Sequence, residues 1–324
     1  MPMTLLGTRW LGALDLFAPA AGVTVREPPG QGEGYWAGAP SVIRDRDGRF
    51  WLSYRLRRPR DQGRGYESRI ATSDDGVHFT DAWAVRREEL GSASIERCCL
   101  LEAGPGDFRL YLSYVDPADQ RWRIDLVTAA APDRFTVAER AAVLTAADIG
   151  GEAVKDPYVL RVGPGFWLFA SYAPPPAAPA ADLHAGADAF VTGLVRSHTG
   201  LATSADGRRF AWQGDVLSPA AAGWDQLCSR LASVVWVPPV FVAFWDGSAT
   251  VAENFEQRTG LAVTCDLVHF TKFPGPSLVS PNGSGSLRYL DALPVGDEFF
   301  CYYEYAGPDG SHELRLSRLP RPAA

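Results

Sequence analysis

Acidic and basic residues recur at one kind of position in this sequence, where a short apolar run begins. The acids are Glu96 and Asp156, and the bases are Arg97, Lys155, Arg230 and Arg288. Two carboxylates can cleave a bond between sugars, one as the acid and the other as a base or nucleophile. Three arginines can instead grip an anion through forked hydrogen bonds. Either chemistry requires a fold that brings these distant residues together.

The stretch from 151 to 172 shows the local pattern around one of these positions. Lys155 and Asp156 precede a short apolar run, a Gly-Pro-Gly sequence follows at 163–165, and an aromatic-rich run ends at Tyr172. This order predicts a strand, a tight turn and a second strand. The charged pair stands where the first strand begins.

The same plan occurs five times along the chain. The aromatic-rich second strands are predicted at Phe50–Tyr54, Leu110–Tyr114, Trp167–Tyr172, Val240–Trp245 and Phe299–Tyr303. A third strand follows in each unit, and two of the turns after it contain Asp-Gly, a pair that favours hairpins. Repeats of roughly 60 residues with about four short strands each predict an all-β fold, a five-bladed β-propeller.

We predict a single propeller domain over residues 1–324, because nothing between the units resembles a linker. The predicted blades span approximately 35–90, 91–148, 149–215, 224–275 and 283–320. The fifth unit lacks a clear last strand, so we expect Thr4–Trp10 to supply it and close the ring, which removes an exposed edge. An insertion between Ala173 and Gly200 interrupts the third unit and is either a lid or disordered.

Composition excludes several classes of protein. The net charge of −7 argues against nucleic acid as the main partner, because a polyanion binder needs a basic surface. No segment approaches the ~20 apolar residues that span a membrane, and residues 1–20 lack the pattern of a secretion signal. The five cysteines lack metal-ligand spacing and fit buried thiols in a reducing compartment. We therefore predict a cytoplasmic protein with no metal site and no membrane partner.

The first strand of each propeller blade lines the central channel, and its first residues lie at the channel mouth. The aligned position carries Ala39, Glu96 with Arg97, Lys155 with Asp156, Arg230 and Arg288. Burying these charges unpaired would be costly, so a wet, ligand-binding mouth is their expected location. Two alternatives are a structural ring of salt bridges and arginines that plug the channel through backbone carbonyls.

On this repeat and on three short motifs, the chain resembles the five-bladed propeller glycosidases. That broad group includes arabinan- and xylan-trimming enzymes, fructan-cleaving enzymes and mannoside phosphorylases. Ala39-Pro40 falls where the first-blade Asp-Pro of arabinanase-like enzymes would lie. Ile95-Glu96-Arg97 looks like a degraded Glu-Asp-Pro-Arg run of the mannoside phosphorylases, and Val154-Lys155-Asp156 looks like their third-blade Lys-Asp. The chain is thus similar to a divergent member that lacks the first-blade Asp.

The resemblance implies a pair of catalytic carboxylates and no organic cofactor. Glu96 and Asp156, on neighbouring blades, are the predicted pair, and Glu304 is a third candidate; Glu33 and Glu253 lie in loops that could supply the missing acid. The predicted substrate-binding residues are Arg97, Lys155, Arg230, Arg288, Tyr35, Trp36, Tyr289 and His312. Tyr35 and Trp36 would form a sugar-stacking wall, and His312 would approach the channel from blade five.

The leading hypothesis is a glycosidase-like enzyme that acts on a small glycoside or oligosaccharide at the central pocket. The alternative is a diverged propeller without glycosidase activity, which binds a sugar or an anionic metabolite or catalyses another biosynthetic reaction. The missing first-blade acid motivates this alternative. A protein-interaction platform is the least favoured hypothesis, and it predicts an apolar patch on the rim and a plugged channel.

Overall fold

The computed structural model describes residues 18–177 and 181–321, and its regular elements are almost entirely strands. The expected closing strand at Thr4–Trp10 lies outside the described residues. In chain order the strands are β1 (Val23–Arg26), β2 (Trp36–Arg44), β3 (Phe50–Arg57), β4 (Gly65–Ser73), β5 (Thr80–Arg86), β6 (Cys99–Gly104), β7 (Asp107–Val115), β8 (Trp122–Ala129), β9 (Ala141–Leu144), β10 (Ala153–Val162), β11 (Gly165–Ala173), β12 (His198–Ser204), β13 (Ala211–Leu217), β14 (Cys228–Val237), β15 (Val240–Ser248), β16 (Arg258–Thr264), β17 (Thr271–Lys272), β18 (Leu287–Val295), β19 (Glu298–Ala306) and β20 (His312–Pro320).

The described helical segments are single short 3-10 turns. They span Pro19–Ala21, Arg60–Gln62, Arg87–Leu90, Val137–Glu139 and Ala189–Val191. In the part of the chain that the structure describes, no helix is long and apolar enough to cross a membrane.

Strand pairing divides the strands into five antiparallel units of four. The first four units are β2–β5, β6–β9, β10–β13 and β14–β17, each paired in chain order. The fifth unit is β18–β19–β20, and β1 pairs with β20 as its fourth strand. An N-terminal strand therefore completes the last sheet, and it is Val23–Arg26.

The first strands of the five units contact one another in a closed order. Strand β2 contacts β6, β6 contacts β10, β10 contacts β14, β14 contacts β18, and β18 contacts β2. The innermost strands of a propeller are arranged in this way around the channel. The predicted all-β propeller fold is confirmed, while the single-domain division and the blade limits stay predictions.

Apolar cores lie between neighbouring sheets and hold the ring together. Leu52 of β3 shares a core with Phe300 of β19, and Phe169 of β11 shares another with Trp245 of β15. The closing aromatic residues after the third strands, such as Phe79, join these cores. Burial of large aromatic side chains on both faces of each sheet fixes the relative position of the units.

A bulge interrupts the first strands where the charged residues lie. The pairing register shifts between Gly38 and Ser41, between Lys155 and Tyr158, and between Arg288 and Asp291, and one residue later in β14, after Leu231. Ala39, Asp156 and Tyr289 take up the extra residue in the left-handed conformation, with φ of 53°, 55° and 54°. A bulge re-aims the side chains around it, and the left-handed conformation is unfavourable for residues other than glycine. Here it directs the flanking side chains towards the channel.

The described part of the third-unit insertion crosses the channel mouth. We call residues 181–196 the strap. Its residues Leu183, Ala189, Phe190 and Val195 are buried and form an apolar cluster with Trp122 of β8. The strap is therefore a packed part of the fold, anchored on the second and third units.

Candidate active site at the channel mouth

Two sets of positions from different units meet at the mouth. The first strands contribute Gly38, Lys155, Arg230 and Arg288, which lie opposite Arg55, Ser171, Asp246 and Glu304 of the second strands. In unit two, Glu96 lies in the irregular stretch before β6, and its N–H donates to Ser113 O of β7. In unit one the position that aligns with Lys155 is Gly38, and Ala39 aligns with Asp156. The sequence alignment matched Ala39 to the Lys155–Asp156 pair as a whole, and the strand register corrects this match.

Lys155 joins the two predicted catalytic carboxylates. Its Nζ lies 3.5 Å from Glu96 Oε2 and 3.7 Å from Asp156 Oδ2, and Arg55 Nη1 forms an ion pair with Glu96 Oε1. All of these side chains are buried. The fold therefore brings Glu96 and Asp156 together as predicted, although they lie 60 positions apart in the sequence.

The carboxylate of Asp156 is the least satisfied group in this cluster. Both of its oxygens are buried and have no hydrogen-bond partner among the described protein atoms. Its backbone N–H donates to Ser113 Oγ at 3.2 Å, which fixes the bulge in place. A buried carboxylate without donors is costly, so these oxygens are available to the hydroxyl group or proton of a ligand.

Glu304 lies deeper and is fully enclosed by partners. Arg288 Nε donates to its Oε1 at 2.8 Å, Arg55 Nη2 donates to its Oε2 at 3.1 Å, and His312 Nδ1 lies 2.8 Å from Oε1. Burial raises the pKa of this carboxyl, but Arg288, the His312 hydrogen bond and Arg55 outweigh burial, so the pKa lies well below its usual range. Glu304 is therefore a fixed negative charge and is poorly suited to donate a proton.

The carboxylate of Glu304 fills the space that unit one leaves empty. A Cβ atom on Gly38 would lie 2.0 Å from Glu304 Oε2. The residue at this position of unit one must therefore lack a side chain. The mouth thus has a carboxylate beside unit one, although no first-strand residue of that unit supplies it.

An aromatic stack forms the side of the mouth near units one and five. The rings of Trp36 and His312 stack at 4.3 Å, and Arg57 lies 4.0 Å from the centre of Trp36 and 4.1 Å from that of Phe255. Arg57 is buried, and no described carboxylate lies within ion-pair distance of it. Burial, together with Arg55, holds the pKa of Arg57 well below its usual range. A buried guanidinium in this state would be stabilised by an anion.

Arg230 and Lys155 lie under the strap. Arg230 donates to Ser197 Oγ at 2.8 Å and to Asn254 Oδ1 at 3.0 Å. The ring of Phe190 lies 4.9 Å from the Arg230 guanidinium and 5.2 Å from Lys155 Nζ. Burial lowers the pKa of Lys155 to about 8, although Asp156 opposes this shift. The strap therefore places the aromatic ring of Phe190 over the cationic groups of Arg230 and Lys155.

Asp188 fixes the strap in this position. Arg64 Nη1 donates to its Oδ2 at 2.9 Å, and Trp122 Nε1 donates to its Oδ1 at 3.2 Å. Burial raises the pKa of Asp188, but Arg64 and Lys155 outweigh burial, so the pKa is lowered. Asp188 thus adds a further ionised carboxylate to the edge of the mouth.

Arg97 lies away from the other cations, across the middle of the channel. It donates from Nε to Pro40 O at 3.0 Å and from Nη1 to Ala232 O, and its Nη2 lies 3.8 Å from Asp291 Oδ1. Its side chain is 0% exposed. These contacts are those of a plug, which joins units one and four through backbone carbonyls and unit five through the carboxylate of Asp291.

The remaining predicted residues divide between the mouth and other places. Tyr289 is buried 4.9 Å from the Arg288 guanidinium, and its N–H donates to Asp246 Oδ2 at 2.9 Å. Trp36 lies in the mouth. Tyr35 does not join it, since Tyr35 Oη donates to Gln62 Oε1 at 3.0 Å on an outward-facing surface.

Several residues of the mouth escaped the sequence analysis. Arg55 and Asp246 occupy the same second-strand position as Glu304, and a charged residue within an aromatic strand was the signal that could have found them. Burial raises the pKa of Asp246 to about 7, although the hydrogen bond from the Tyr289 N–H opposes this shift. Arg57, Asp188 and Phe190 gave no such signal, because their roles depend on contacts between units.

Within residues 18–177 and 181–321, no group of three or more His, Cys, Asp or Glu side chains is arranged to hold a metal ion.

Comparison with known proteins places the fold. No family model and no curated protein sequence matches the chain. A β-1,2-mannobiose phosphorylase from Listeria innocua, solved with β-1,2-mannobiose, matches with a TM-score of 0.61 at 15% identity over 92% of this chain and 94% of that chain. An endo-arabinase from Bacteroides thetaiotaomicron matches with a TM-score of 0.61 at 11% identity over 93% and 98%.

A third solved structure, a glycosyl hydrolase from Bacteroides ovatus, matches with a TM-score of 0.62 at 14% identity over 94% of this chain and 95% of that chain. The chain therefore has the fold of the propeller glycosidases and mannoside phosphorylases, as the sequence resemblance predicted. At these identities the similarity establishes the fold, and the activity has to be argued from the mouth itself.

Proposed function

We propose that this protein cleaves the glycosidic bond of a small glycoside or oligosaccharide at the channel mouth, with Glu96 and Asp156 as its paired carboxylates. The observation that carries the proposal is the contact of Lys155 Nζ with both carboxylates, at 3.5 and 3.7 Å, in a cluster built from two units. Glycoside hydrolysis needs two carboxyl groups about 5–10 Å apart. A shared cationic partner keeps this pair close.

The two carboxylates differ in their surroundings and therefore in their proposed roles. Asp156 has two oxygens without donors and is the proposed acid–base residue. Glu96 is held by Arg55 and Lys155 and is the proposed group that faces the positive charge developing on the sugar. Lys155 orients both carboxylates. Trp36 and His312 stack on each other and support this side of the mouth.

The shared fold supports this proposal. One of the matching structures is a mannobiose phosphorylase in complex with β-1,2-mannobiose, and another is a glycosyl hydrolase. The substrate proposed for this chain is accordingly a carbohydrate, and the cluster itself requires no cofactor for acid–base chemistry.

The test is turnover of a panel of aryl glycosides and short oligosaccharides by the wild type and two variants. Asp156→Asn and Glu96→Gln should each lower kcat/KM by about 10²–10⁴-fold, the contribution typical of a positioned acid or base. Glu139→Gln, an exposed change far from the mouth, is the matched control and should leave kcat/KM unchanged. Turnover that survives both mouth changes would remove the assignment.

A second candidate function is the binding of an anionic sugar or metabolite without hydrolysis. Arg57 favours it, because this buried guanidinium has aromatic neighbours and no described carboxylate partner. Calorimetry with inorganic phosphate, sulfate and glucuronate would show binding that weakens in Arg57→Gln. Saturable hydrolysis of a neutral glycoside would exclude a purely binding role.

A further inference from the structure

A second concave surface lies outside the mouth, along unit one and the chain segment that enters it. It consists of two grooves that share Pro29 and Tyr66. We call this continuous surface the trough. The groove nearer the mouth is also lined by Tyr35, Arg58, Gln62, Arg86 and Glu88, and the other groove by Arg26, Glu27, Tyr54, Leu56, Arg69, Phe79 and Asp81.

Alternation along the strands separates the trough from the mouth. Trp36 and Arg57 are partners in the pairing of β2 with β3, and both lie in the mouth. Neighbouring residues of a strand point to opposite faces, and Leu56, which precedes Arg57 in β3, lines the trough. Tyr35 and Arg58 lie one residue beyond the ends of β2 and β3 and also line the trough. This pair of strands therefore has a distinct polar and aromatic surface on each side.

The trough combines aromatic rings with planar polar groups. The guanidinium of Arg58 lies 4.1 Å from the centre of the Tyr66 ring. Its Nε is buried without a hydrogen-bond partner, and no described carboxylate lies within ion-pair distance of Arg58. Gln62 and Glu88 are exposed beside it. Rings that cover the C–H face of a sugar, together with planar donors and acceptors for its hydroxyl groups, are the chemistry of a carbohydrate site.

The groove near the mouth is already ordered around this arrangement. Tyr35 Oη is fixed by Gln62, the Arg58 N–H donates to Arg64 O at 3.1 Å, and Arg87 Nη1 donates to Gly63 O at 3.0 Å. Gly34, with a φ of 89°, allows the chain to pass so close to Pro59 that an added Cβ would lie 2.9 Å from its Cα. A preformed surface loses little conformational freedom when it binds a ligand.

We propose that the trough is a carbohydrate-binding site for a short oligosaccharide, separate from the channel mouth. The two joined grooves suit an elongated ligand. Four arginines and three acids line them, which is not the strongly basic surface that a nucleic acid requires. Tyrosines predominate over aliphatic residues in the lining, which favours a hydroxylated ligand over an apolar peptide anchor. The site uses none of the proposed catalytic residues, so it stands independently of the proposed function.

Calorimetric titration with arabinotriose, xylotriose, mannotriose and trigalacturonic acid tests the proposal. The titrations use the full chain carrying Glu96→Gln and Asp156→Asn, so that hydrolysis does not consume the probe. At least one probe should bind. Adding Tyr35→Ala or Arg58→Gln should weaken its Kd at least ten-fold, while Arg134→Gln, an exposed arginine on another surface, should leave Kd unchanged.

Thermal melting of each variant checks that the chain remains folded, and Tyr35→Phe, which keeps the ring, should retain most of the affinity. Binding that is unaffected by both Tyr35→Ala and Arg58→Gln would overturn the proposal, as would the absence of saturable binding of every probe. Hydrolysis by the wild type is measured separately, so a failure of the trough and a failure of the mouth give different results.

Discussion

The mouth and the middle of the channel both bury charged groups, but they satisfy them differently. In the middle, Arg97 is held by backbone carbonyls of units one and four, with Asp291 at 3.8 Å. At the mouth, Lys155 and Arg55 contact the carboxylates of other side chains, and both oxygens of Asp156 remain without hydrogen-bond partners among the described residues.

This difference separates structural charges from charges available to a ligand. Backbone carbonyls are fixed by the sheet, so the hydrogen bonds from Arg97 Nε and Nη1 tie units together, while its buried Nη2 has Asp291 at 3.8 Å and no hydrogen-bond partner among the described residues. Side-chain carboxylates can exchange one partner for another, and a carboxylate without a hydrogen-bond partner is stabilised when a ligand supplies a donor. The charges in the middle of the channel hold units together, whereas the mouth is where we propose that a ligand binds.

The largest effect is expected for Glu304→Gln. The change removes the carboxylate that pairs with Arg288 and one of the two that pair with Arg55, and leaving a buried charge unpaired costs about 3–5 kcal/mol. Because the folded pKa of Glu304 is lowered, its contribution is present above the unfolded pKa of about 4.3 and is lost as the pH falls below it. Urea unfolding from pH 3 to pH 7 should therefore show a smaller pH dependence for the variant.

Arg97→Met tests the other side of the comparison. The change removes the hydrogen bonds to the two carbonyls and leaves Asp291 without the guanidinium beside it. The free energy of unfolding should fall by about 3 kcal/mol. The affinity of any mouth ligand should change less than two-fold, as measured by calorimetry on the folded variant. A loss of ligand affinity without a loss of stability would show that Arg97 belongs to the mouth after all.

Gly38→Ala should reduce the free energy of unfolding by a smaller amount, through a structural change at the mouth. The new methyl group would displace the Glu304 carboxylate, and overpacking of this kind costs about 1–3 kcal/mol. Gly104→Ala in β6 is the matched control, because an added Cβ there has nothing within 4 Å. Equal unfolding free energies for the two variants would contradict the tight contact between units one and five.

Asp246→Asn is expected to change the free energy of unfolding least at acid pH. Its stabilising effect relative to the wild type should grow as the pH rises. Burial raises the folded pKa of Asp246 to about 7, so the wild type loses stability from this group as the pH rises from about 4 through 7. The variant lacks this loss, so its stability relative to the wild type should increase over that range. Asp133→Asn, an exposed change, should show no such trend in the same unfolding series.

The fold was readable from the sequence because each unit repeats local signals. Aromatic strands and Asp-Gly turns are set by neighbouring residues, and they predicted the sheets well. The register of the bulges was not readable, since it depends on pairing across the sheet, and it moved the unit-one position from Ala39 to Gly38. Glu96, Lys155 and Asp156 were found because they share one position in the repeat.

The partners of these residues could not be found in the same way. Arg57 depends on a ring supplied by another unit, Phe255. Phe190 and Asp188 lie in an insertion that has no counterpart in the repeat. Contacts that form only when units meet leave no periodic trace in a single sequence.

The pairing of β1 with β20 bears on how the molecule is made. Thr24 Oγ1 donates to Glu313 Oε2 at 2.7 Å across a separation of 289 positions. Almost the entire polypeptide must therefore be synthesised before the last sheet can form. Until then the sheets that have already formed keep an unpaired strand edge. Contacts this remote in sequence slow folding and expose strand edges to aggregation. We expect chaperone dependence during synthesis to be concentrated in that interval.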